Sequence, residues 1–173
     1  MTMTIEELIA KQEIADLVGR YMRGLDRLDP VLLRSVFHDA AYTDYGFFKG
    51  GPDEFVEMAY NALKDHLANH HLIGQTNIEI QQDVAIGEIY FQAFHRIVVN
   101  DEQRDLFISG RYVDRYEKLN GEWKIMYRSE INDWVRDDPA TDRYFELQPD
   151  SLRGARKPDD AIYSVDLVRQ PTS

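Results

Sequence analysis

In the segment YEKLNGEWKI, residues 116–125, a two-residue turn separates two extended segments. The turn is Asn120-Gly121, a pair that favours a type I′ β-turn because both residues tolerate positive φ. Such a turn joins two antiparallel strands in a tight hairpin. The sequence therefore predicts a hairpin whose strands cover residues 104–118 and 122–135.

Two further extended segments precede the hairpin, at residues 70–80 and 84–99. Both are rich in the β-branched and aromatic residues that are enriched in strands. Polar turn residues separate the segments at Gln82-Asp83 and at residues 100–102. The four strands would be roughly 11–16 residues long, and strands of that length twist into a strongly curved sheet.

The first third of the chain has helical spacing instead. Residues 4–25 carry apolar side chains every three or four positions, and the Thr4–Glu7 pair matches a capping box. Asp29-Pro30 marks the start of a second helix, and a third helix is predicted over residues 53–67.

These elements predict an α+β domain with three N-terminal helices, a brief strand at residues 40–48 and four long antiparallel strands. A curved sheet wrapped around the helices forms a cone, and its open mouth suits a small molecule. We assign residues 1–136 to this domain. The tail, residues 137–173, contains several prolines and scattered apolar residues. It is interpreted as an irregular arm that packs on the domain or on a neighbouring subunit.

The composition narrows the function. The formal net charge of −11 disfavours nucleic acid and anionic membranes as partners, because phosphate binding requires clustered Lys and Arg. The chain has no cysteine, which excludes disulfides, thiolate catalysis and zinc-thiolate sites. No apolar run approaches the roughly 18 residues that span a bilayer, and the first residues lack the pattern of a secretory signal. A cytoplasmic location is therefore expected.

The main candidate for chemistry is the pair Asp26 and His71. A carboxylate that fixes one tautomer of an imidazole makes it a competent general base near neutral pH. Asp26 lies at the predicted end of the first helix, where a carboxylate is mildly unfavourable unless something compensates it; the alternative is that it is simply solvated. Strict alternation would place His71 among polar residues of its strand. Either Gly74 marks a bulge that reverses the faces, or the pocket is polar there.

Several aromatic and polar residues are candidates for substrate contact. Tyr21 and Tyr45 flank Asp26 and the first strand, and a buried phenol can polarise a ligand oxygen. The further candidates for substrate binding are Tyr112, Arg111, Asn132 and Trp134. An arginine in the middle of a strand lies either on the outer face of the sheet or inside the mouth as a charge anchor.

Metal and nucleotide sites are not expected. Asp26 and the five histidines are potential ligands, but no H-E-x-x-H or similar spacing occurs. There is no G-x-S-x-G motif for a serine nucleophile and no glycine-rich nucleotide loop. The sequence therefore predicts chemistry without a metal or a cofactor.

Residues 5–136 resemble the nuclear transport factor 2-like superfamily, in its SnoaL-like (polyketide cyclase-like) branch. The resemblance rests on the helical stretch 12–26, on HLIGQTNIE at residues 71–79 and on the hairpin segment 110–125. That branch includes scytalone dehydratase, bile acid 7α-dehydratase and hexachlorocyclohexane dehydrochlorinase. The resemblance implies an α+β barrel and, as in many relatives, a homo-oligomer, either a trimer or a dimer.

The resemblance also implies roles for individual residues. In the eliminating enzymes of this branch an aspartate at the helix end orients a histidine base, and those positions are Asp26 and His71 here. Two tyrosines of the bile acid enzyme match Tyr21 and Tyr45. Its pocket arginine matches Asn132, a departure that argues against a substrate held by that arginine.

The function expected from these observations is a cofactor-independent lyase, of the dehydratase type, or an isomerase. Its substrate would be a hydrophobic, cyclic or aromatic small molecule. A dehydrohalogenase or an aldehyde-releasing aromatic lyase would use the same base. Two alternatives from other classes remain: a non-catalytic binding or oligomeric scaffold module, and an accessory subunit of an oxygenase.

Overall fold

The computed structural model describes residues 3–164. The helices are α1 (Ile5–Asp26), α2 (Pro30–Ser35), α3 (Pro52–Leu63) and α4 (Tyr144–Leu147), and a 3-10 turn covers Ala161–Tyr163. The strands are β1 (Phe37–Asp44), β2 (Lys49–Gly50), β3 (Ala68–Gln81), β4 (Val84–Val99), β5 (Glu102–Leu119) and β6 (Glu122–Pro139). The predicted α+β class is confirmed.

The strands form one sheet in the order β2-β1-β6-β5-β4-β3. The four long strands are antiparallel, as predicted, and they curve around the helices. β1 joins β6 in parallel, so the whole sheet is mixed. β3 and β2 are its two edges, and the sheet stays open.

α1 begins and packs as its sequence pattern predicts. The Thr4 hydroxyl accepts from the Glu7 amide at 3.1 Å, and the Glu7 carboxylate accepts from the Thr4 amide at 2.8 Å, which completes the capping box. Its inner face, which contacts β3 and β6, is fully buried at Ile14, Leu17 and Val18. The helix ends at Asp26 and therefore presents this carboxylate at the edge of the core.

The hairpin turn has the predicted geometry, with φ of 52° at Asn120 and 85° at Gly121. The third helix is shorter than predicted, since α3 ends at Leu63 instead of residue 67. The reason is that the Leu67 amide already donates to the Arg96 carbonyl of β4, at 2.8 Å. The chain has therefore begun to join the sheet where the sequence pattern still indicated helix.

β3 contains an irregularity that reverses its two faces. Its pairing with β4 shifts register between Ile73 and Thr76, around Gly74. Before the shift His71 and Ile73 are partly buried, whereas after it Ile78 is buried. This confirms the bulge and explains how one strand places His71 inside and its later polar residues outside.

The segment after β6 returns to the C-terminal end of α1. The Lys157 amide donates to the Arg27 carbonyl at 2.8 Å, and Arg27 forms an ion pair with Asp160 at 2.7 Å. Lys157 pairs with Asp29 at 2.8 Å. The described part of the predicted arm thus contacts its own chain, while residues 165–173 lie outside the described residues.

Among residues 3–164, no helix is long and apolar enough to cross a membrane.

Candidate active site

Asp26 and His71 form a hydrogen-bonded pair between the end of α1 and β3. The Nδ1 of His71 lies 2.7 Å from Asp26 Oδ1, and the His71 main-chain amide donates to both carboxylate oxygens, at 3.2 and 3.1 Å. The His71 side chain is 6% exposed and that of Asp26 is 11% exposed. A carboxylate can only accept, so Nδ1 carries a proton, and in the neutral imidazole Nε2 then keeps a free lone pair. This is the form of imidazole that can remove a proton.

A groove of about 520 Å³ opens beside this pair. Its walls come from α1, from β3 and from the arm, and its lining residues are Gly19, Met22, Arg23, Asp26, Arg27, His71, Leu72, Ile73, Asp160 and Ile162. A larger groove, of about 790 Å³, lies between α2 and the Asn120 turn and contains none of the predicted site residues. The smaller groove contains Asp26 and His71, whereas none of the other predicted site residues lines it.

Three tyrosines cluster on the inner side of the sheet. The Tyr21 and Tyr45 hydroxyls are 2.5 Å apart, and the Tyr112 ring lies 5.7 Å from the Tyr21 ring and 6.5 Å from the Tyr45 ring. Burial raises the pKa of Tyr21 to about 12 and the pKa values of Tyr45 and Tyr112 well above their usual range. All three phenols therefore keep their protons and can donate hydrogen bonds.

A buried cation stacks on this cluster. The Arg128 guanidinium lies 4.1 Å from the centre of the Tyr21 ring and 4.2 Å from that of Tyr112. It is held by the Asp114 carboxylate through two hydrogen bonds, of 2.9 and 2.7 Å, and both side chains are fully buried. The positive charge opposes part of the rise that burial imposes on the pKa of Tyr21.

Glu130 interacts electrostatically with the phenols and with His71, and it was not identified from the sequence. It lies on β6 in register with Tyr112. Burial raises the pKa of Glu130, and the charge of His71 opposes this rise. The charge of Glu130 in turn raises the pKa values of Tyr21 and Tyr45. The alternation of Arg128, Glu130 and Asn132 on one strand face was the signal that could have identified it.

A second imidazole, that of His95, lies next to the Asp26–His71 pair. The sequence suggested His95 only as a potential metal ligand. Its ring packs edge-on against His71 with 5.2 Å between centroids, and its Nδ1 lies 3.3 Å from His66 Nδ1. Burial lowers the pKa of His95 to about 3, so it is a neutral imidazole at physiological pH. No group of three or more histidine or acidic side chains within residues 3–164 is arranged to hold a metal ion.

Two predicted substrate contacts lie elsewhere. Arg111 alternates with Tyr112, so it projects to the outer face, where it pairs with Glu88 at 3.0 Å and Asp133 at 2.9 Å. Trp134 is in register with Ser109 on that same outer face and is 48% exposed. Alternation along β5 places Arg111 on the outer face, whereas Trp134 is there because the pairing of β5 with β6 shifts register between Asn132 and Trp134.

Asn132 lies on the inner side, two residues beyond Glu130 and in register with Gly110. It is exposed at the rim. Gly110 has no room for a side chain, since a Cβ there would lie 2.1 Å from the Ile131 carbonyl oxygen. The backbone of β6 therefore packs closely against Gly110, which leaves no side chain of β5 opposite Asn132.

The comparisons with known proteins agree with this architecture. Residues 6–129 match the family model of the SnoaL-like domain. The chain belongs to the SnoaL-like family. A search of curated proteins found no match.

Several solved structures share the fold. A hexachlorocyclohexane dehydrochlorinase (LinA, type 2) is 19% identical, with a TM-score of 0.72 over 79% of this chain and 94% of that one. A scytalone dehydratase-like protein from Novosphingobium aromaticivorans is 21% identical, with a TM-score of 0.72 over 92% and 99% of the two chains. Rv3472 from Mycobacterium tuberculosis, whose function is unknown, is 22% identical, with a TM-score of 0.64 over 94% and 89%. At such identities the likeness shows the fold alone.

Proposed function

We propose that this SnoaL-like protein is a cofactor-independent lyase that eliminates water from a hydrophobic cyclic or aromatic molecule. The observation that carries the proposal is the 2.7 Å contact between His71 Nδ1 and Asp26. It leaves Nε2 as a free base beside a groove that is large enough for a small molecule.

His71 begins the reaction by removing a proton from the carbon next to a carbonyl group. Asp26 stabilises the imidazolium that forms, as the carboxylate does in a catalytic triad. Neither Tyr21 nor Tyr45 lines the groove, and Tyr21 is 1% exposed. We therefore assign the hydrogen bond to the enolate oxygen to Tyr45, which is only partly buried. Because the two hydroxyls bond to each other at 2.5 Å, one of the two protons remains available for the substrate.

The leaving hydroxyl needs a proton, and Glu130 is the group that we assign to this step. Burial raises its pKa, which favours the protonated acid. The carbon–oxygen bond breaks, the hydroxyl takes the Glu130 proton and departs as water, and a double bond forms. The proton on His71 then returns to Glu130, so no cofactor or net proton exchange is required.

The groove favours an uncharged, apolar substrate. Its walls include the side chains of Met22, Leu72, Ile73 and Ile162. The net charge of −11 repels anions. Asn132, which the resemblance matches to the pocket arginine of the bile acid enzyme, offers an amide and no positive charge for a carboxylate.

The test is the dehydration of a panel of cyclic β-hydroxy ketones, followed by the ultraviolet absorbance of the enone product. We expect His71→Gln and Asp26→Asn to lower kcat/KM by about 10³- to 10⁴-fold, the range for loss of a base or its orienting carboxylate. His70→Gln is the matched control, since His70 is the adjacent residue and is exposed. Its activity should equal that of the wild type.

Unchanged activity in His71→Gln or Asp26→Asn, with the melting temperature preserved, would exclude the mechanism.

A non-catalytic binding module is the second candidate. The depth of the cone is filled by aromatic side chains, since Tyr21, Phe55 and Tyr112 are at most 2% exposed. Such filling is what a binding or scaffold role predicts. Under that role His71→Gln would bind the same ketones as the wild type, and neither protein would turn them over.

A further inference from the structure

Arg156, on the C-terminal arm, reaches the back of the Asp26–His71 pair. Its Nη1 donates to the main-chain carbonyl of Asp26 at 2.6 Å. Its Nη2 donates to the side-chain oxygen of Asn69 and, at 3.5 Å, to the carbonyl of His66. One planar guanidinium thus contacts the end of α1, the start of β3 and the segment between α3 and β3.

This contact fixes the orientation of the Asn69 amide. Because Asn69 Oδ1 accepts from Arg156, its Nδ2 is turned toward α1, where it lies 3.4 Å from the Leu25 carbonyl and 3.5 Å from Asp26 Oδ1. Asn69 is 6% exposed, so a reversed amide would leave buried polar atoms without partners. The carboxylate oxygen that bonds to His71 is therefore also within reach of the Asn69 amide nitrogen, at 3.5 Å.

Arg156 also offsets the electrostatic cost of placing a carboxylate at a helix C-terminus. The final carbonyls of α1 carry partial negative charge, and Asp26 adds a full charge at the same point. The positive guanidinium of Arg156, hydrogen-bonded to the Asp26 carbonyl, offsets both the partial charge of the helix end and the charge of the carboxylate. Burial and the nearby charge of Arg27 lower the pKa of Arg156, while Asp26 acts in the opposite direction.

The arm is anchored independently of Arg156. Asp160 pairs with Arg27, and Lys157 pairs with Asp29. Arg27 also donates to the Ala155 carbonyl at 2.9 Å. None of these contacts involves Asp26 or His71, so the attachment of the arm and the contact with the dyad can be tested separately.

We infer that Arg156, acting through Asn69 and the Asp26 carbonyl, is a positioning residue that holds the Asp26 carboxylate in register with His71 Nδ1. The C-terminal arm is then part of the catalytic apparatus and not only a cover for the domain. The role in catalysis rests on the proposed function, whereas the positioning itself can be measured without a substrate.

The test is the tautomer of His71, read from the side-chain ¹⁵N chemical shifts of the full-length protein at pH 8. His71→Gln identifies the resonances by their loss. In the wild type we expect Nδ1 to be protonated and Nε2 to be unprotonated. In Arg156→Ala and in Asn69→Ala the two shifts should move toward each other, because the imidazole then samples both tautomers.

Two further variants separate positioning from attachment. Lys157→Ala removes an anchor of the same arm without touching the dyad and should leave the His71 shifts unchanged. Arg156→Lys keeps the charge but cannot bond to the Asp26 carbonyl and Asn69 in the same planar arrangement, so it should give an intermediate shift. It also serves as the test variant if Arg156→Ala does not fold.

Wild-type His71 shifts in Arg156→Ala, or in Arg156→Lys if the alanine variant is unfolded, would overturn the inference. Equal shifts in Lys157→Ala and Arg156→Ala would also overturn it. With a turned-over substrate, kcat of Arg156→Ala should fall about 10- to 100-fold with a smaller change in KM. If no substrate is ever turned over, the proposed function fails while the tautomer measurement still decides the positioning.

Discussion

The cone contains two pairs of an acid with a nitrogen base, and they differ in what each leaves free. Arg128 and Asp114 are 0% exposed at their side chains, and Asp114 accepts two hydrogen bonds from Arg128 and one from the Tyr116 hydroxyl, at 2.5 Å. Asp26 and His71 lie beside an open groove. In the second pair one imidazole nitrogen has no hydrogen bond to the residues that the structure describes.

This difference separates a structural pair from a chemical one. An arginine does not lose its proton in a protein, so the buried Nη1 of Arg128, although it has no hydrogen-bond partner among the described residues, is not a base. A histidine exchanges its proton near neutral pH, and its partner carboxylate is fixed by the main chain. A nitrogen lone pair beside an open groove, and not burial or distance, is what distinguishes the candidate base from a core ion pair.

The largest expected effect comes from breaking the structural pair. Asp114→Asn should lower the free energy of unfolding by about 3–5 kcal/mol, because it leaves Arg128 as an uncompensated buried charge. Asp26→Asn should cost less, about 1–3 kcal/mol, because one of the two buried acceptor oxygens is lost while the other can still accept from His71. Urea denaturation of both variants measures the contrast, and equal losses would contradict it.

A smaller effect is expected from His95, the neutral imidazole beside the dyad. Burial and the charges of His71, His66 and Arg156 lower its pKa to about 3, and Asp26 opposes them. Below pH 6.5 the unfolded state binds a proton that the folded state does not, so stability is lost as the pH falls toward 3. The wild type should lose about 2 kcal/mol from this group between pH 7 and pH 5.

The measurement is urea denaturation of the wild type and of His95→Gln at both pH values. Glutamine does not titrate, so the variant should lack this part of the pH dependence. Parallel pH profiles for the two proteins would mean that His95 is already protonated in the folded state.

The smallest expected effect concerns Glu130, which lies between the two pairs. Burial raises its pKa, so the folded state binds its proton more tightly and stability is lost as the pH rises through the folded pKa. Glu130→Gln should therefore be more stable than the wild type at pH 8, by about 0.5–1 kcal/mol. It should also dehydrate ketones more slowly, because the proton donor is gone.

Two further measurements test the role of Glu130. At pH 4 the stability gain should disappear, since the wild-type acid is then protonated. A variant that is stabilised at pH 8 but dehydrates normally would remove Glu130 from the mechanism.

Local chemistry made much of the fold predictable. The Asn120-Gly121 turn, the Thr4 cap and the four strand segments each follow from residues that are close in sequence. The parallel pairing of β1 with β6 was not predictable in this way, because it depends on packing between segments about 85 positions apart, such as Phe37 and Ile125.

The candidate site was predictable only in part. Asp26 and His71 were identified by their chemistry and by resemblance, and the alternation of β5 could have excluded Arg111. The sequence offered no local signal for Arg156. This residue lies in an irregular segment 130 positions from Asp26, whose main-chain carbonyl it contacts. Residues that reach a site only because a distant segment folds back onto it cannot be recognised from sequence spacing.

The irregularity at Gly74 also limits how the chain can vary in length. Deleting one residue there would restore simple alternation along β3, and the two halves of the strand would then compete for the interior. Either the imidazole would turn to solvent or Ile78 would leave the core. Insertions and deletions should therefore be tolerated in the hairpin loops of this protein but not at residues 74–75.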